Sequence, residues 1–396
     1  MDLPILDLSA ANDPTRKPEL LRQLRRALFD IGFLYIINHG ISPSTIDQLT
    51  DLLPSLFALP DEDKAKLSKL NSPHFLGYSG YAEETTLGKQ DLREQFDFAT
   101  ELPVVYNGSG GPENGHLANG SSNRQDFSQL YWRLRGLNQW PNLAGFKEAF
   151  TAYHDAVQEL SYRFVHLIEE AFEIPIGTFD HFFGSHQPHD SPIEGNRPDN
   201  NDLSTFLPPQ HRIKLLRYPP SPPNPDTDRS QTQPQGVGPH KDSSGWLTFL
   251  LQVGNNPGLE VLSPNNRDWI PARPIPGTFV VNFGNAFEAA TEGAVRATTH
   301  RVIAPGPGRG DRYSIPFFQG LPLDMTVEEV RGYIPERVRR LRREAAGGEA
   351  EGVAASFLDA RWSSLGESQL RKWIRSHRDV GLKWYGEEVV GYYTAS

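Results

Sequence analysis

The chain has 396 residues, 37% of them hydrophobic and 22% charged, with a net charge of −10 from 39 basic and 49 acidic residues. That suits a globular protein of one large domain or two smaller ones. The negative balance speaks against non-specific contact with nucleic acid or an acidic membrane surface. With no cysteine, disulfides, thiolate zinc sites and a cysteine nucleophile are excluded. The start, Met1-Asp2-Leu3-Pro4, has neither the basic nor the apolar region of a secretory leader, and no apolar run approaches a membrane span. A cytoplasmic location follows as the expectation, and the sequons at Asn107 and Asn119 then read as ordinary loop sequence.

In chain order, residues 3–8 read as a short strand. Leu20, Leu21, Leu24, Ala27, Leu28 and Ile31 form an apolar stripe at helical spacing over 18–31. The run Gly32 to Asn38 is compact and rich in β-branched and aromatic residues. Ser42 can cap a helix to about residue 57, with Pro43 at its first position. A long amphipathic helix is expected within 140–174, carrying Phe146, Phe150, Tyr153, Val157, Leu160, Phe164 and Leu167. Stretches 107–125, 184–203 and 219–237 are rich in Gly, Pro, Asn and Ser and read as loops, either binding loops or plain insertions.

From 213 to 320 the pattern changes. Short β-branched and aromatic runs at 213–218, 246–252, 258–262, 278–283, 299–304 and 312–318 are separated by turn signals, as in an all-β sandwich or barrel. Helical patterning returns in the C-terminal part, over 337–345 and 366–377. No internal repeat is present.

The chemistry-bearing residues lie in the β-rich part. Chance supplies roughly one or two His-x-Asp/Glu pairs in a chain with 12 histidines and 49 acids, so the pair His240-Lys241-Asp242 means little alone. Its setting separates it from a decoy, His377-Arg378-Asp379, which lies in a helical, charged tail. On a strand, positions i and i+2 share a face, and on a helix they do not. His300 opens a second strand-like run and offers a third ligand. Two imidazoles and a carboxylate with open positions suit non-haem Fe(II); zinc is the rival. Arg312 and Ser314 share a strand face, giving a guanidinium fork and a hydroxyl for a carboxylate. A chelating dicarboxylate beside the metal needs such a clamp, and a zinc hydrolase does not. His39 reads as a structural histidine beside a turn, as do His154 and His166 on the long helix. His181, His186, His189 and His211 flank a Pro-rich loop without thiolate or carboxylate order, and His74 and His116 have no partners.

These residues resemble the isopenicillin N synthase-like group of Fe(II)/2-oxoglutarate-dependent dioxygenases. The resemblance rests on Pro4 to Leu8 with Gly32 to Gly40, and on Tyr218-Pro219-Pro220, Gly238 to Asp242, Gly258-Leu259, His300-Arg301-Val302 and Arg312-Tyr313-Ser314. It implies a mainly β fold with flanking helices (α+β), built on a double-stranded β-helix (jelly roll, cupin-like) core. One compact domain is expected: an N-terminal segment over 1–125, helical support and an insertion loop over 126–210, the catalytic core over 211–320 and a helical region over 321–396.

It further implies His240, Asp242 and His300 as Fe(II) ligands, with Arg312 and Ser314, helped by Tyr218, on the distal carboxylate of the co-substrate 2-oxoglutarate. O2 is the other co-substrate. The substrate is small and natural-product-like, and an unactivated C–H bond in it is hydroxylated, desaturated or closed into a ring, with release of succinate and CO2. Alternation puts Lys214 and Leu216 on the face of Tyr218, with Leu216 standing where many plant relatives have Asn, and puts Phe318 on the face of Arg312. Lys214 and Phe318, with Tyr81 and Phe96 of the N-terminal segment and Tyr78 beside them, are the candidate substrate contacts. Arg217 should point away, and Asn285 and Glu292 should be structural. Two other readings stay open: an isopenicillin N synthase-type oxidase that uses no 2-oxoglutarate, and a non-catalytic small-molecule-binding member of the fold. Oligomeric state is unreadable.

Overall fold

A computed structural model describes residues 2–86, 88–108, 126–183, 208–220, 234–242, 245–265, 267–345 and 364–395. Most of the three expected loops, and His116, Asn119, His186 and His189 with them, lie outside the described residues. The N-terminal part contains β1 (Ile5–Asp7), α1 (Lys17–Asp30), β2 (Phe33–Ile37), α2 (Pro43–Thr50), α3 (Leu53–Phe57), α4 (Asp61–Lys66), β3 (Gly77–Ser79), β4 (Thr85–Thr86), β5 (Lys89–Gln90) and β6 (Glu94–Ala99). The helices α5 (Phe146–Ala171) and α6 (Asp180–Phe183) follow. Then come β7 (Arg212–Tyr218), β8 (Gln235–His240), β9 (Leu247–Val253), β10 (Leu259–Leu262), β11 (Trp269–Pro271), β12 (Phe279–Phe283), α7 (Asn285–Ala290), β13 (His300–Ile303) and β14 (Arg312–Gln319). The chain ends in α8 (Val327–Gly332), α9 (Glu336–Ala345), α10 (Leu365–Ser376), α11 (Arg378–Tyr385) and α12 (Glu387–Thr394).

Eight strands form one sheet in the order β1-β2-β12-β9-β14-β7-β6-β3, and four form a second in the order β11-β10-β13-β8. All pairings within these two sheets are antiparallel except β1 with β2. The large sheet buries apolar residues on both faces, each for its own reason. On one face, Ile213, Leu215, Leu247, Phe249, Phe279, Val281, Ile315 and Phe317 pack against the buried stripes of α1 and α5. On the other, Leu216, Tyr218, Leu250 and Val280 meet Val237, Leu259, Val261 and Val302 of the small sheet. Period-two alternation produces both faces from single strands. Each fully buried aromatic contributes on the order of 1.5–3 kcal/mol in transfer free energy. Two sheets sharing an inner core with helices outside make the jelly roll that the resemblance implied.

Several local expectations change. The helix expected over 42–57 is two, α2 and α3, with Pro54 in the first turn of the second. A proline there lacks the N–H that would continue the preceding helix. Ser42 holds the cap position of α2, yet its hydroxyl pairs with that of Ser44 at 2.7 Å instead of capping. The strands β3 to β6, β8 and β11 lie outside the β-rich runs of the sequence. β8 is the sequence Gln-Gly-Val-Gly-Pro-His on the outer edge of the small sheet, where a proline need not donate to a ladder. α10 to α12 build a further apolar cluster of Leu370, Trp373, Ile374, Val380, Tyr385 and Val390 around Phe75 and Leu134.

Candidate active site

His240 ends β8, Asp242 follows two residues later, and His300 opens β13, directly opposite His240 in the ladder. The ligand atoms of the three lie within 4.8 Å of one another, the one such group among the described residues. Asp242 Oδ1 is 3.6 Å from His300 Nε2 and 3.9 Å from His240 Nε2. The surroundings fix which atoms face the centre. His240 Nδ1 lies 2.8 Å from the Gly238 carbonyl and His300 Nδ1 lies 3.0 Å from that of Thr298. A carbonyl only accepts, so each Nδ1 carries a proton, and in the neutral ring that leaves the Nε2 lone pair to face the centre. Asp242 Oδ2 accepts from Thr248 Oγ1 and Asn282 Nδ2, both at 2.7 Å, leaving Oδ1 for the centre. Burial opposes the charge on Asp242, but His300, His240 and these two hydrogen bonds outweigh it and hold the carboxyl below its ordinary value. Burial, with His300 alongside, pushes His240 down to about 3, so its imidazole is neutral. Neutral imidazoles and an ionised carboxylate are the forms a divalent metal needs.

Arg312, Ser314 and Tyr218 are each almost wholly buried. Arg312 pairs with Tyr218 across the ladder, its guanidinium 5.0 Å from the Tyr218 ring centre. It donates to Gln252 Oε1 at 3.1 Å and approaches Ser314 Oγ at 3.4 Å. Its Nε is buried without a hydrogen-bond partner, an orphaned donor of the kind an anion satisfies. Gly258, at φ +158°, makes room for it: a Cβ there would lie 2.5 Å from the Ile303 carbonyl and 3.3 Å from Arg312 Cδ and Nε.

Both groups open on one cavity of about 290 Å³ between the sheets, at the lower end of the usual size of a small-ligand pocket, about 300–1,000 Å³. Alternation along β14 and β7 brings Arg312, Ser314, Pro316 and Phe318, with Tyr218, Leu216, Lys214 and Arg212, to its wall. Lys214 is inside, its ammonium 3.4 Å from Asp97 and 5.6 Å from the Trp373 ring centre. Arg217 points the other way, pairing with Asp311 at 2.7 Å and Glu94 at 2.6 Å.

Three candidates lie elsewhere. Phe96 is fully buried against Phe57 and Phe98 on the helix side of the large sheet, because it pairs with Leu215 and shares its face. Its neighbours Gln95 and Asp97 take the opposite face. Tyr81 is 45% exposed, in a turn, and is absent from the cavity wall. Tyr78 donates to Glu94 Oε2 at 2.6 Å and packs on Phe96.

His377 also departs from expectation. It does not ligate with Asp379, but neither is it a tail residue on the surface. It is buried in the cavity wall, its Nε2 2.8 Å from Glu84 Oε1 and 2.9 Å from Lys69 Nζ. The remaining described histidines are structural. His39 accepts the Ile41 N–H, and His211 Nε2 lies 2.7 Å from the Tyr162 hydroxyl. Sequence reasoning missed Thr248, Asn282, Gln252, Glu84, Asp91, Arg93, Arg212, Lys372 and Trp373. Alternation offered a signal for Arg212, which shares the β7 face of Lys214 and Tyr218; Thr248, Gln252 and Asn282 lie on β9 and β12, which hold no named candidate, and the others carry no local signal.

Two family models match: the non-haem dioxygenase in morphine synthesis N-terminal region over residues 3–143, and the 2OG-Fe(II) oxygenase superfamily over 210–320. The chain belongs to the Fe(II)/2-oxoglutarate-dependent dioxygenase family and is a non-haem enzyme of that kind, using Fe(II), 2-oxoglutarate and O2. It is 37% identical to the 2-oxoglutarate-dependent dioxygenase frbJ of Dothideomycetidae sp. (strain 11243), across 98% of this chain and 94% of that protein. A 2-oxoglutarate-dependent dioxygenase of Gibberella zeae is 31% identical across 97% of this chain and 91% of its own. Among solved structures, a full-length Neurospora crassa protein in complex with alpha-KG and 5-formyluracil shares the fold, with a TM-score of 0.64 and 22% identity over 94% of this chain and 96% of that one. Among the described residues, no helix is long and apolar enough to cross a membrane.

Proposed function

We propose that His240, Asp242 and His300 hold the Fe(II), and that Arg312, Ser314 and Tyr218 hold the distal carboxylate of 2-oxoglutarate. The observation that carries this is the shared orientation of three ligand atoms, two imidazole Nε2 and one carboxylate Oδ1, each fixed by a hydrogen bond on its far side. Such outer partners are what set a ligand's tautomer and direction. When bound, iron with 2-oxoglutarate and O2 supplies the oxidising power to break an unactivated C–H bond, with succinate and CO2 as co-products.

The chain's own residues do the rest. Thr248 and Asn282 hold Asp242 so that one oxygen faces inward. Arg312, with its free Nε, fixes the co-substrate's far end, and Tyr218 flanks the guanidinium. Phe33, Leu250, Val302 and Phe318 keep the reacting region apolar, and Phe318 and Lys214 contact a small-molecule substrate. The four stretches of chain act as one unit, a reading supported by the N-terminal strands β1, β2, β3 and β6 completing the catalytic sheet.

The test is anaerobic titration of the protein with Fe(II) and then 2-oxoglutarate. A visible charge-transfer band should appear in the wild type and be lost in His240→Ala, whose circular dichroism stays native. With O2 and a small-molecule library, succinate should form only where Fe(II) is present. A band that persists in His240→Ala would overturn the assignment.

A further inference from the structure

The cavity carries a charge arrangement that iron and 2-oxoglutarate leave unused. Arg212 lies opposite Phe318 and six residues along β7 from Tyr218, on the order of 20 Å at the usual rise of a strand. Around that end, each acid already has its partners. Glu84 is met by Lys69 at 3.2 Å, Arg93 at 2.7 Å and His377 at 2.8 Å. Asp97 is met by Lys69 at 2.9 Å and Lys214 at 3.4 Å. Asp91 accepts from Thr86, Gln235 and the Gly238 N–H, with Arg93 at 3.7 Å.

The cations exceed the acids. Besides Lys69, Arg93 and Lys214 there are Arg212 and Lys372. Arg212 donates only to the carbonyls of His74, Phe75 and Leu134 and lies over Trp373. Lys372, on α10, lines the cavity, is open to solvent, and makes no hydrogen bond or ion pair among the described residues. Arg212, half-buried, and Lys372, on the cavity's open side, have no acid of their own and leave the wall positive, a field that draws an anion. The two carboxylates of 2-oxoglutarate are taken up by Arg312 and the metal, so they do not cancel it.

Building on the oxygenase reading above, we propose that the substrate carries an anionic group, a carboxylate or similar oxyanion, and that Lys372 is the residue that selects for it, within a positive field shared with Lys214 and Arg212. Trp373, Phe318 and Leu250 would cover the apolar body of such a molecule.

The test uses the full chain, anaerobic, with Fe(II) and saturating 2-oxoglutarate so that the Arg312 pocket is filled. Binding of two matched pairs, hydrocinnamate with hydrocinnamamide and hexanoate with hexanamide, is measured by calorimetry. The carboxylates should bind about tenfold or more tightly than their amides. Lys372→Gln should remove that preference while shifting 2-oxoglutarate affinity less than about twofold, the shift expected of a residue outside the clamp. Lys372→Arg should keep it. Amides binding as well as carboxylates, no carboxylate binding at all, or a preference that survives Lys372→Gln would each overturn the proposal. A preference seen only without 2-oxoglutarate would assign it to Arg312 and overturn it too. The charge-transfer band recorded on the same samples reports separately on the oxygenase reading.

Discussion

The replacement Thr248→Val isolates the part that the outer hydrogen bonds play at the metal centre. Thr248 Oγ1 donates to Asp242 Oδ2 at 2.7 Å, and both groups are buried. Valine keeps the shape and removes the donor, so Oδ2 retains only Asn282. A hydrogen bond to a charged group is worth about 1.5–3 kcal/mol. Passed into ligand strength, that is roughly 10- to 100-fold in metal affinity, the range found when outer partners of metal ligands are removed. Asp242 should also become easier to protonate, since one of the interactions holding its carboxyl down is gone. The assay is an anaerobic titration with Fe(II) in the presence of 2-oxoglutarate, followed by the charge-transfer band, alongside thermal melts of the metal-free protein. A dissociation constant within about twofold of wild type, in a variant that melts normally, would refute the idea that Thr248 orients the carboxylate.

Arg312→Lys keeps a charge but loses the planar fork, and should weaken 2-oxoglutarate binding about 10- to 100-fold while leaving Fe(II) binding intact; calorimetry on the metal-loaded protein checks both. Gly258→Ala brings a Cβ to 2.5 Å from the Ile303 carbonyl and against the Arg312 stem. It should cost about 1–3 kcal/mol of stability and raise the KM for 2-oxoglutarate, read by denaturant unfolding and initial rates. His211 is neutral in the fold: its Nδ1 accepts the Gly320 N–H at 3.0 Å, and burial pushes its pKa down to about 3. The unfolded chain, with an ordinary histidine, binds that proton first as pH falls. Stability should therefore be whole above about pH 6.5 and drop by about 1.4 kcal/mol per unit below it, levelling near pH 3. Urea unfolding from pH 7.5 to 5 should show this slope relative to His211→Gln, and parallel curves would contradict it.

How far the fold could be read from sequence depended on what each strand faces. β12, β9 and β14 meet an apolar core on one side and enough apolar cavity wall on the other to stand out as hydrophobic runs. β6 does not. Its sequence Glu-Gln-Phe-Asp-Phe-Ala is buried throughout, but Gln95 and Asp97 face a charged network where a core strand would place apolar residues. The same reversal misplaced Phe96: one step along a strand changes the face, and nothing local says which face is the cavity. The proposed metal and carboxylate groups show in the sequence because each begins as a pair two positions apart, His240 with Asp242 where β8 ends and Arg312 with Ser314 within β14, a spacing that needs no tertiary information.

The charged end of the cavity obeys no such rule. His377 meets Lys69 and Glu84 across 308 and 293 positions, and Trp373 collects Arg212, Lys214 and Lys69 around one ring. The C-terminal helix α10 thus walls a chamber together with β7 and with residues 84–86, 91 and 93. In the sequence, His377-Arg378-Asp379 reads as a chance pair in a helical, charged tail, and as a chelate it is one. Its imidazole matters through Glu84 instead. That carboxylate is shared with Arg93 and Lys69, so anything that moves α10 also redistributes the charge lining the cavity. The proposed iron ligands come from the end of β8, the two residues after it and the start of β13. What the enzyme accepts beside the iron depends on segments that only the folded chain brings together.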